Sequence, residues 1–343
     1  MTPASDIFRQ VHPVEHVAQY LHEMAAHGSV GGALIFWFYI VAALTFTAVI
    51  LYTIINDGQF KTSPSLRREK TVFACLAATS FVCLSYNMMH VLILSYLEWE
   101  TVHRPIVPLR YTAASSTLGL TDIARRLWHW STTSTLFQDF GQALISREDG
   151  WAWSHAALMT TGAQMIIAMS VQGQMLAVPR LWMLFVLAEI LPISFSQNLF
   201  YLICLPRVRA SRGRRVRHSW FKSLLRVAYL FCYMTVVNGA SRSGEKLIPV
   251  ILMARSLLIL SLFLPLPANV SSAQSQHAST KPAVKEFDLF TIAMPLGLAV
   301  FFYYWLHKLY TNASGLHCHP AVSTLGYDSI ISSVSSVAWL YLA

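Results

Sequence analysis

Long apolar runs alternate with short polar stretches along the whole chain. Runs long enough to cross a bilayer, or nearly so, fall at about 33–56, 71–97, 128–146, 151–174, 181–205, 223–240, 247–266, 288–310 and 326–343. A helix needs roughly 20 apolar residues to cross the hydrocarbon. The pattern therefore predicts an all-α fold, a polytopic transmembrane helical bundle of eight or nine spans. The last run is the weakest, because serines fill its centre. A Ser/Ala/Pro-containing connector, PANVSSAQSQHASTKPAVKE at 267–286, separates the first seven runs from the last two. The expected organisation is an N-terminal tail plus a seven-span bundle over 1–266, a linker over 267–286, and a two-span C-terminal tail over 287–343.

Composition agrees with this pattern. Of 343 residues, 55% are hydrophobic and 12% charged, against roughly 25% charged in a soluble domain. The net charge of +9 raises the question of nucleic acid, but its distribution excludes that reading. Much of it sits in one loop, RVRASRGRRVRHSWFK at 207–222, between two apolar runs. The first loop adds Lys61, Arg67, Arg68 and Lys70, and the seventh adds Lys281 and Lys285. These odd-numbered loops share one side, which the positive-inside rule makes cytosolic. The N-terminus is then lumenal, in the endoplasmic reticulum. The second loop partly dissents, with Arg104, Arg110, Arg125 and Arg126, although the last two fall where span three begins.

Several chemistries find no motif. The five cysteines show no CxxC spacing. His317-Cys318-His319 lacks a second ligand pair at zinc spacing, so no metal site is expected. Walker, GxGxxG, GxSxG and Asp-rich diphosphate motifs are missing, and no cofactor is expected. The N-terminus lacks the apolar core of a cleavable signal peptide. Two sequons occur, Asn269-Val-Ser and Asn312-Ala-Ser. Asn312 falls on the lumenal side and Asn269 does not.

Polar groups inside the spans carry the functional signal, because an ionisable side chain in the bilayer normally faces a cavity or a partner. Glu189 lies mid-span in MLFVLAEILPISFSQNLF at 183–200, three residues before Pro192. A proline kink beside a carboxyl is a way to build a pocket. An acid kept neutral by apolar surroundings is able to donate a proton. Gln197 and Asn198 follow as polar companions. In RRLWHWSTTSTLFQDFGQALI, at 125–145, His129, Thr132, Thr133 and Asp139 fall along one helical stripe. That stripe is expected to wall a central cavity, though a Ser/Thr seam between helices gives the same pattern. Asn87 and His90 lie one turn apart on the second span. Arg255 is mid-span and needs an anionic partner, with Asp139 and Glu189 both eligible.

Two resemblances follow. Ala124-Arg125, Thr132-Thr133 and Asp139 stand at the spacings of the third helix of microbial rhodopsins, and 157–167 with 180–185 has the texture of that family's next helices. This implies a rhodopsin-like first seven spans. The seventh span has Arg255 but not the retinal lysine, and Trp128 stands where the carboxylate facing the Schiff base is expected. The chain also resembles the polytopic membrane terpene cyclases of fungal meroterpenoid pathways, of the ascofuranone and ascochlorin type. The grounds are its length, span count, aromatic richness and missing diphosphate motif. That resemblance implies protonation of the terminal epoxide of a farnesylated aromatic substrate, followed by carbocation cyclisation along aromatic rings, with no cofactor. Glu189 and Asp139 are then the candidate acids. His129, Asn87 and His90 orient or recover the proton. Trp128, Trp130, Trp151, Trp153 and Tyr233 are ring walls, and Thr133, Asn198 and Arg255 complete the substrate-binding set. The implied partners are a hydrophobic small molecule arriving from the membrane and the lipid bilayer, with no protein or nucleic acid. A transporter or channel, an opsin-like non-enzymatic protein, and a membrane O-acyltransferase (from Asp122, Arg126, Trp128 and His129) remain as alternatives.

Overall fold

A computed structural model describes residues 30–58, 66–103, 120–133, 136–211, 216–218, 220–240, 247–264, 268–270 and 313–342. The predicted span at 288–310, Asn312 and most of the 267–286 connector lie outside these residues. The described chain is helical apart from one short strand pair. In order, the elements are α1 (Val30–Asn56), α2 (Arg67–His103), α3 (Leu120–Thr133), α4 (Leu136–Ile145) and α5 (Glu148–Ala163). A π-turn (Gln164–Met169) joins α5 to α6 (Ser170–Met175), which is followed by α7 (Leu181–Ile190) and α8 (Ile193–Ser211). Then come β1 (Val216–His218), α9 (Trp220–Gly239), α10 (Leu247–Leu260), β2 (Ala268–Val270) and α11 (Pro320–Leu342).

The contacts form two compact units, one of Met1–Val41 with Val91–Phe137, the other of Ala42–His90 with Gln138–Ala343. They do not divide the chain at the 267–286 connector. The reason is α11, expected as part of a tail. Its serines face inward, and it packs along α5 and α8 in the middle of the second unit. Buried serine hydroxyls in a tight helix interface suit a bundle in which apolar burial gives little discrimination against lipid.

Among the described residues, two helices are long and apolar enough to cross a membrane, over Gly32–Asn56 and Arg67–Thr101. Both present large apolar side chains outward, among them Phe38, Leu44, Tyr52, Val82 and Tyr86. The α5–α6 rod is continuous through its π-turn, about 40 Å long at 1.5 Å per residue. Its start carries Glu148 and Asp149, the favourable sign for a helix N-terminus.

Of the predicted spans at 128–146 and 181–205, the second is corrected. The described residues of the first fall in α3 and α4, of 14 and 10 residues, with 134–135 outside the described residues. The second is a helical hairpin. Ser196 Oγ donates to the Leu184 carbonyl at 2.5 Å, whereas twelve residues of unbroken helix would hold those positions about 18 Å apart. Pro192 is the cause, since it has no N–H and cannot continue the α7 ladder.

The second unit has two recognisable ends. At one end Asp57 pairs with Arg207 at 2.7 Å and Glu69 with Arg209 at 3.0 Å. Arg180 donates to Thr53 at 2.9 Å, Gln174 donates to the Leu262 carbonyl at 2.5 Å, and β1 pairs antiparallel with β2. The first, fifth and seventh predicted loops therefore do share one end. The turn at 176–180 lies there too, which is why 181–205 leaves and returns to the same end. At the other end Gly150 lies against Cys318, and Gly141 of α4 against Leu247 and Ile251 of α10.

The turn feeding the hairpin has a specific backbone. Val178 N–H donates to Gly173 O at 2.9 Å and Ala177 N–H to Gln174 O at 3.2 Å. This is the double bond of a Schellman termination. Ala177, at φ 47°, occupies the left-handed position that glycine usually fills. Pro179 then stops any continuation of the helix.

Candidate functional site

The hairpin tip leaves backbone groups unsatisfied, and two charged side chains satisfy them, Asp328 buried and Arg255 half-exposed. In an unbroken helix the Ile193 N–H would donate to the Glu189 carbonyl. Here Leu191 is extended, at φ −108° and ψ 173°. Arg255 of α10 takes the freed Glu189 carbonyl, through Nη1 at 2.6 Å. On the other side of the break, the Ile193 and Ser194 N–H groups donate to Asp328 Oδ2 and Oδ1 at 3.0 and 2.8 Å. A cation thus sits at the C-terminus of α7 and a carboxylate at the N-terminus of α8, the sign each helix dipole favours.

Arg255 has the anionic partner its position required, and that partner is Glu189. Arg255 Nε lies 3.8 Å from Glu189 Oε2, with side-chain exposures of 45% and 9%. Glu189 Oε1 is buried and has no hydrogen-bond partner among the described residues. Tyr233 of α9 lies within electrostatic reach of both, and its hydroxyl donates to the Leu158 carbonyl at 3.0 Å. Its ring occupies the place where a Cβ on Gly162 would stand, so the close approach of α9 to α5 depends on that glycine. Glu189 and Arg255 are the predicted pair that the structure brings together. A carboxyl with one free oxygen beside a fixed cation can exchange a proton with a bound oxygen atom.

Behind the tip runs a buried polar seam between α5, α8 and α11. Ser332 Oγ meets the side-chain oxygens of both Gln164 and Gln197. One hydroxyl proton serves only one of two amide oxygens. The other amide must turn its NH2 to Ser332, and Gln164, whose Nε2 has no other partner, is the one free to do so. Gln197 Nε2 continues the chain to Tyr201 Oη and Ser336 Oγ, both at 2.8 Å. Ser329 donates to Thr160 at 3.1 Å, and Ser80 bonds Ser194 at 2.5 Å. The Tyr201 ring stacks on Trp339 at 4.6 Å. Asn198 is buried in this region rather than beside Glu189, and its Nδ2 donates to Ser194 O at 2.7 Å.

The stripe at 129–133 is in the first unit. His129 is buried, edge-on to Trp99 at 5.2 Å. Thr132 and Thr133 both donate to the His129 carbonyl at 2.8 Å, so those hydroxyl protons serve their own helix. Thr133 also accepts from Trp99 Nε1 at 2.7 Å. Trp130 packs edge-on to Phe36 and Tyr96, while Trp128 is 40% exposed. Arg126, counted against the charge rule, is paired with Glu100 at 3.8 Å. Asp139 is on α4, and its side chain lies outside what the structure describes.

Other predicted residues stand apart. Asn87 donates back to Cys83 O at 2.9 Å within its own helix, and His90 is exposed. Trp153 is buried against Gly326 of α11. Trp151 stacks obliquely on His155 at 5.3 Å. Asn269 sits in β2 opposite Arg217, at the end shared by the basic loops. His319 caps α11, accepting the Ala321 N–H at 3.1 Å through Nδ1.

Sequence reading missed Asp328, Arg226 and the Gln164–Ser332 contact. Asp328 was legible as an acid within an apolar run, and Ser329, Ser332 and Ser336 recur at helical spacing. Arg226 is buried in α9, reaching Ser170 Oγ at 2.5 Å, Leu264 O at 3.0 Å and Ile166 O in the π-turn at 3.3 Å. No sequence signal marks the π-turn that presents that carbonyl. The chain matches no family model, no curated protein and no solved structure.

Proposed function

We propose that the protein is an integral membrane terpene cyclase whose proton donor is Glu189. The observation that carries this reading is the carboxyl oxygen at the hairpin tip, buried and without a hydrogen bond among the described residues, in a carboxyl paired with Arg255. In the proposed reaction the Glu189 proton passes to the epoxide oxygen of a prenylated aromatic substrate. The tertiary C–O bond breaks, its electrons become the alcohol oxygen's, and a carbocation remains. An alkene attacks the cation, and the final cation loses a proton that restores the Glu189 acid. Atoms and charge balance without a cofactor.

The proposed membrane arrangement has crossings by α1, α2, α5–α6, α9, α10 and α11, with one more expected from the sequence alone at 288–310, outside the described residues. The α7–α8 hairpin enters and leaves by one face, and α4 stays at the opposite end. The basic end is cytosolic, in the endoplasmic reticulum. Expression in microsomes supplied with farnesylated aromatic epoxides tests the activity. An isomer of the substrate is expected, and Glu189→Gln should lower its formation by about 10²–10⁴. No isomerised product from any such substrate sinks the reading.

The hairpin favours one second reading. Two short helices meeting at Pro192, with charged groups at both broken ends, resemble the discontinuous helices of transporters. Flux of a solute into liposomes holding the purified protein, abolished by Arg255→Gln, would replace the enzyme reading.

A further inference from the structure

We propose that Glu189 and Arg255 together form a two-point clamp for a single uncharged oxygen on an apolar chain that arrives sideways from the lipid. The proposal deepens the reading of Glu189 as the acid, and names what that site recognises. Arginine has five N–H donors in a planar fork. Arg255 uses Nη1 on the Glu189 carbonyl and turns Nε toward Oε2. Its Nη2 has no acceptor among the described residues. Glu189 Oε1 is likewise without a hydrogen bond. Nε and Oε2, at 3.8 Å, attract without a hydrogen bond, and the proposed clamp uses the buried Oε1 and the Nη2 of the half-exposed guanidinium.

The surroundings decide the ligand's chemistry. Leu252, one turn before Arg255 on α10, is exposed, so the guanidinium has an outward-facing apolar neighbour. A free cation there is unfavourable in lipid, which leaves a place for a polar atom brought by a lipophilic molecule. An anionic head would meet the Glu189 carboxyl, and a cationic head would meet Arg255. A pure hydrocarbon would leave both leftover groups unmatched, a loss to which hydrogen-bonding sites are sensitive. A neutral oxygen fits both states of the pair. With Glu189 protonated, Oε1–H and Nη2–H are two donors for an epoxide or carbonyl oxygen. With Glu189 ionised, Oε1 accepts from a hydroxyl whose oxygen accepts from Nη2. The clamp thereby suits an epoxide before proton transfer and an alcohol after it, and Arg255 touches the reacting oxygen.

The test uses the full chain in nanodiscs and measures equilibrium binding of a tritiated farnesyl ether bearing a terminal epoxide. Hexadecanol, hexadecane and hexadecanoate serve as competitors. The alcohol is expected to displace the probe, with hexadecane and hexadecanoate weaker by about tenfold or more. Arg255→Lys keeps a cation beside Glu189 but removes the fork, and should weaken probe binding by a similar factor. Glu189→Gln keeps a neutral donor and should retain binding while losing turnover. Hexadecane competing as well as hexadecanol overturns the clamp, as does Arg255→Lys binding the probe undiminished. Should the lysine variant fail to fold, the competitor series on the native protein decides alone. Binding without turnover leaves the clamp standing and removes the cyclase reading. Turnover that ignores Arg255→Lys does the reverse.

Discussion

Asp328→Ala should be among the most destabilising single substitutions in this chain. Asp328 is buried and accepts the Ile193 and Ser194 N–H groups at 3.0 and 2.8 Å. Pro192 removes the helical turn that would otherwise precede them, so neither amide has an alternative carbonyl. A buried donor left unsatisfied costs about 1–3 kcal/mol, and two are created. Loss of the carboxylate from the α8 N-terminus adds up to ~2 kcal/mol in a buried setting. The local cavity makes the sum less than additive, and about 3–5 kcal/mol is expected for alanine. Asp328→Asn keeps one acceptor oxygen and should cost about half as much. The assay is reversible unfolding in mixed micelles, followed by tryptophan fluorescence, with Ser80→Ala as a control one bond further out. A cost below about 1 kcal/mol for Asp328→Ala would mean that the two amides find other partners, and the account of the hairpin tip would be wrong.

Ala177→Gly should stabilise the protein by about 0.5–1 kcal/mol, because it relieves a left-handed alanine at a helix termination; an unfolding titration that shows a loss contradicts the backbone argument. Gly162→Ala should destabilise by about 1–3 kcal/mol, since the added methyl falls on the Tyr233 ring, and the same titration reads it. Burial, and then the neighbouring His90, hold the His319 imidazole below its ordinary range. Its folded value is below the unfolded one, near 6.5, so the stability it contributes is present above that pH and lost as pH falls through the folded value. Melting curves between pH 8 and pH 5 should show this loss in the native chain and a flatter response in His319→Asn, where asparagine caps α11 without titrating. Finally, single cysteines placed at Pro179 and Ser211 in a cysteine-free background should label with an impermeant maleimide from the same face of sealed microsomes. Labelling from opposite faces would restore a single span at 181–205.

Much of the helical content was legible because apolar runs longer than a bilayer's width have few alternatives to helix. The ends of α1 and α2 match the expected runs closely. The sharing of one end by the first, fifth and seventh loops also followed from charge. Hydropathy could not reveal that the 181–205 run reverses on itself. VLAEILPISF reads the same whether Pro192 kinks a span or reverses it. The difference lies in where the freed amides go, and their acceptor, Asp328, is more than 130 residues away. Composition also undervalued α11. Serines lower hydropathy, yet in a helix interface each hydroxyl can return its proton to the preceding turn, as Ser335 does to Ile331 O at 2.8 Å, and keep lone pairs for a neighbour. The Glu189–Arg255 pair was foreseeable as one of two options. Arg255 was drawn to Glu189 because the broken helix supplies a carbonyl and a carboxyl at the same place.

That coincidence links the candidate site to the rest of the fold. The hairpin tip is held from one side by α10 through Arg255 and from the other by α11 through Asp328. Neither contact is replaceable by ordinary apolar packing, because each satisfies backbone groups that the proline leaves open. The geometry of Glu189 therefore depends on α11, an element sequence alone assigned to a tail. A site built on a reversal point has a further property. The Glu189 carbonyl is committed to Arg255, which fixes the backbone, while its carboxyl Oε1 stays uncommitted. Fixing the main chain while leaving Oε1 without a hydrogen bond suits the proposed proton donor, whose O–H must be positioned without being committed to another acceptor. A purely structural salt bridge would be expected to close both oxygens on the guanidinium fork. At 3.8 Å from Nε, with Oε1 unbonded, Glu189 does not.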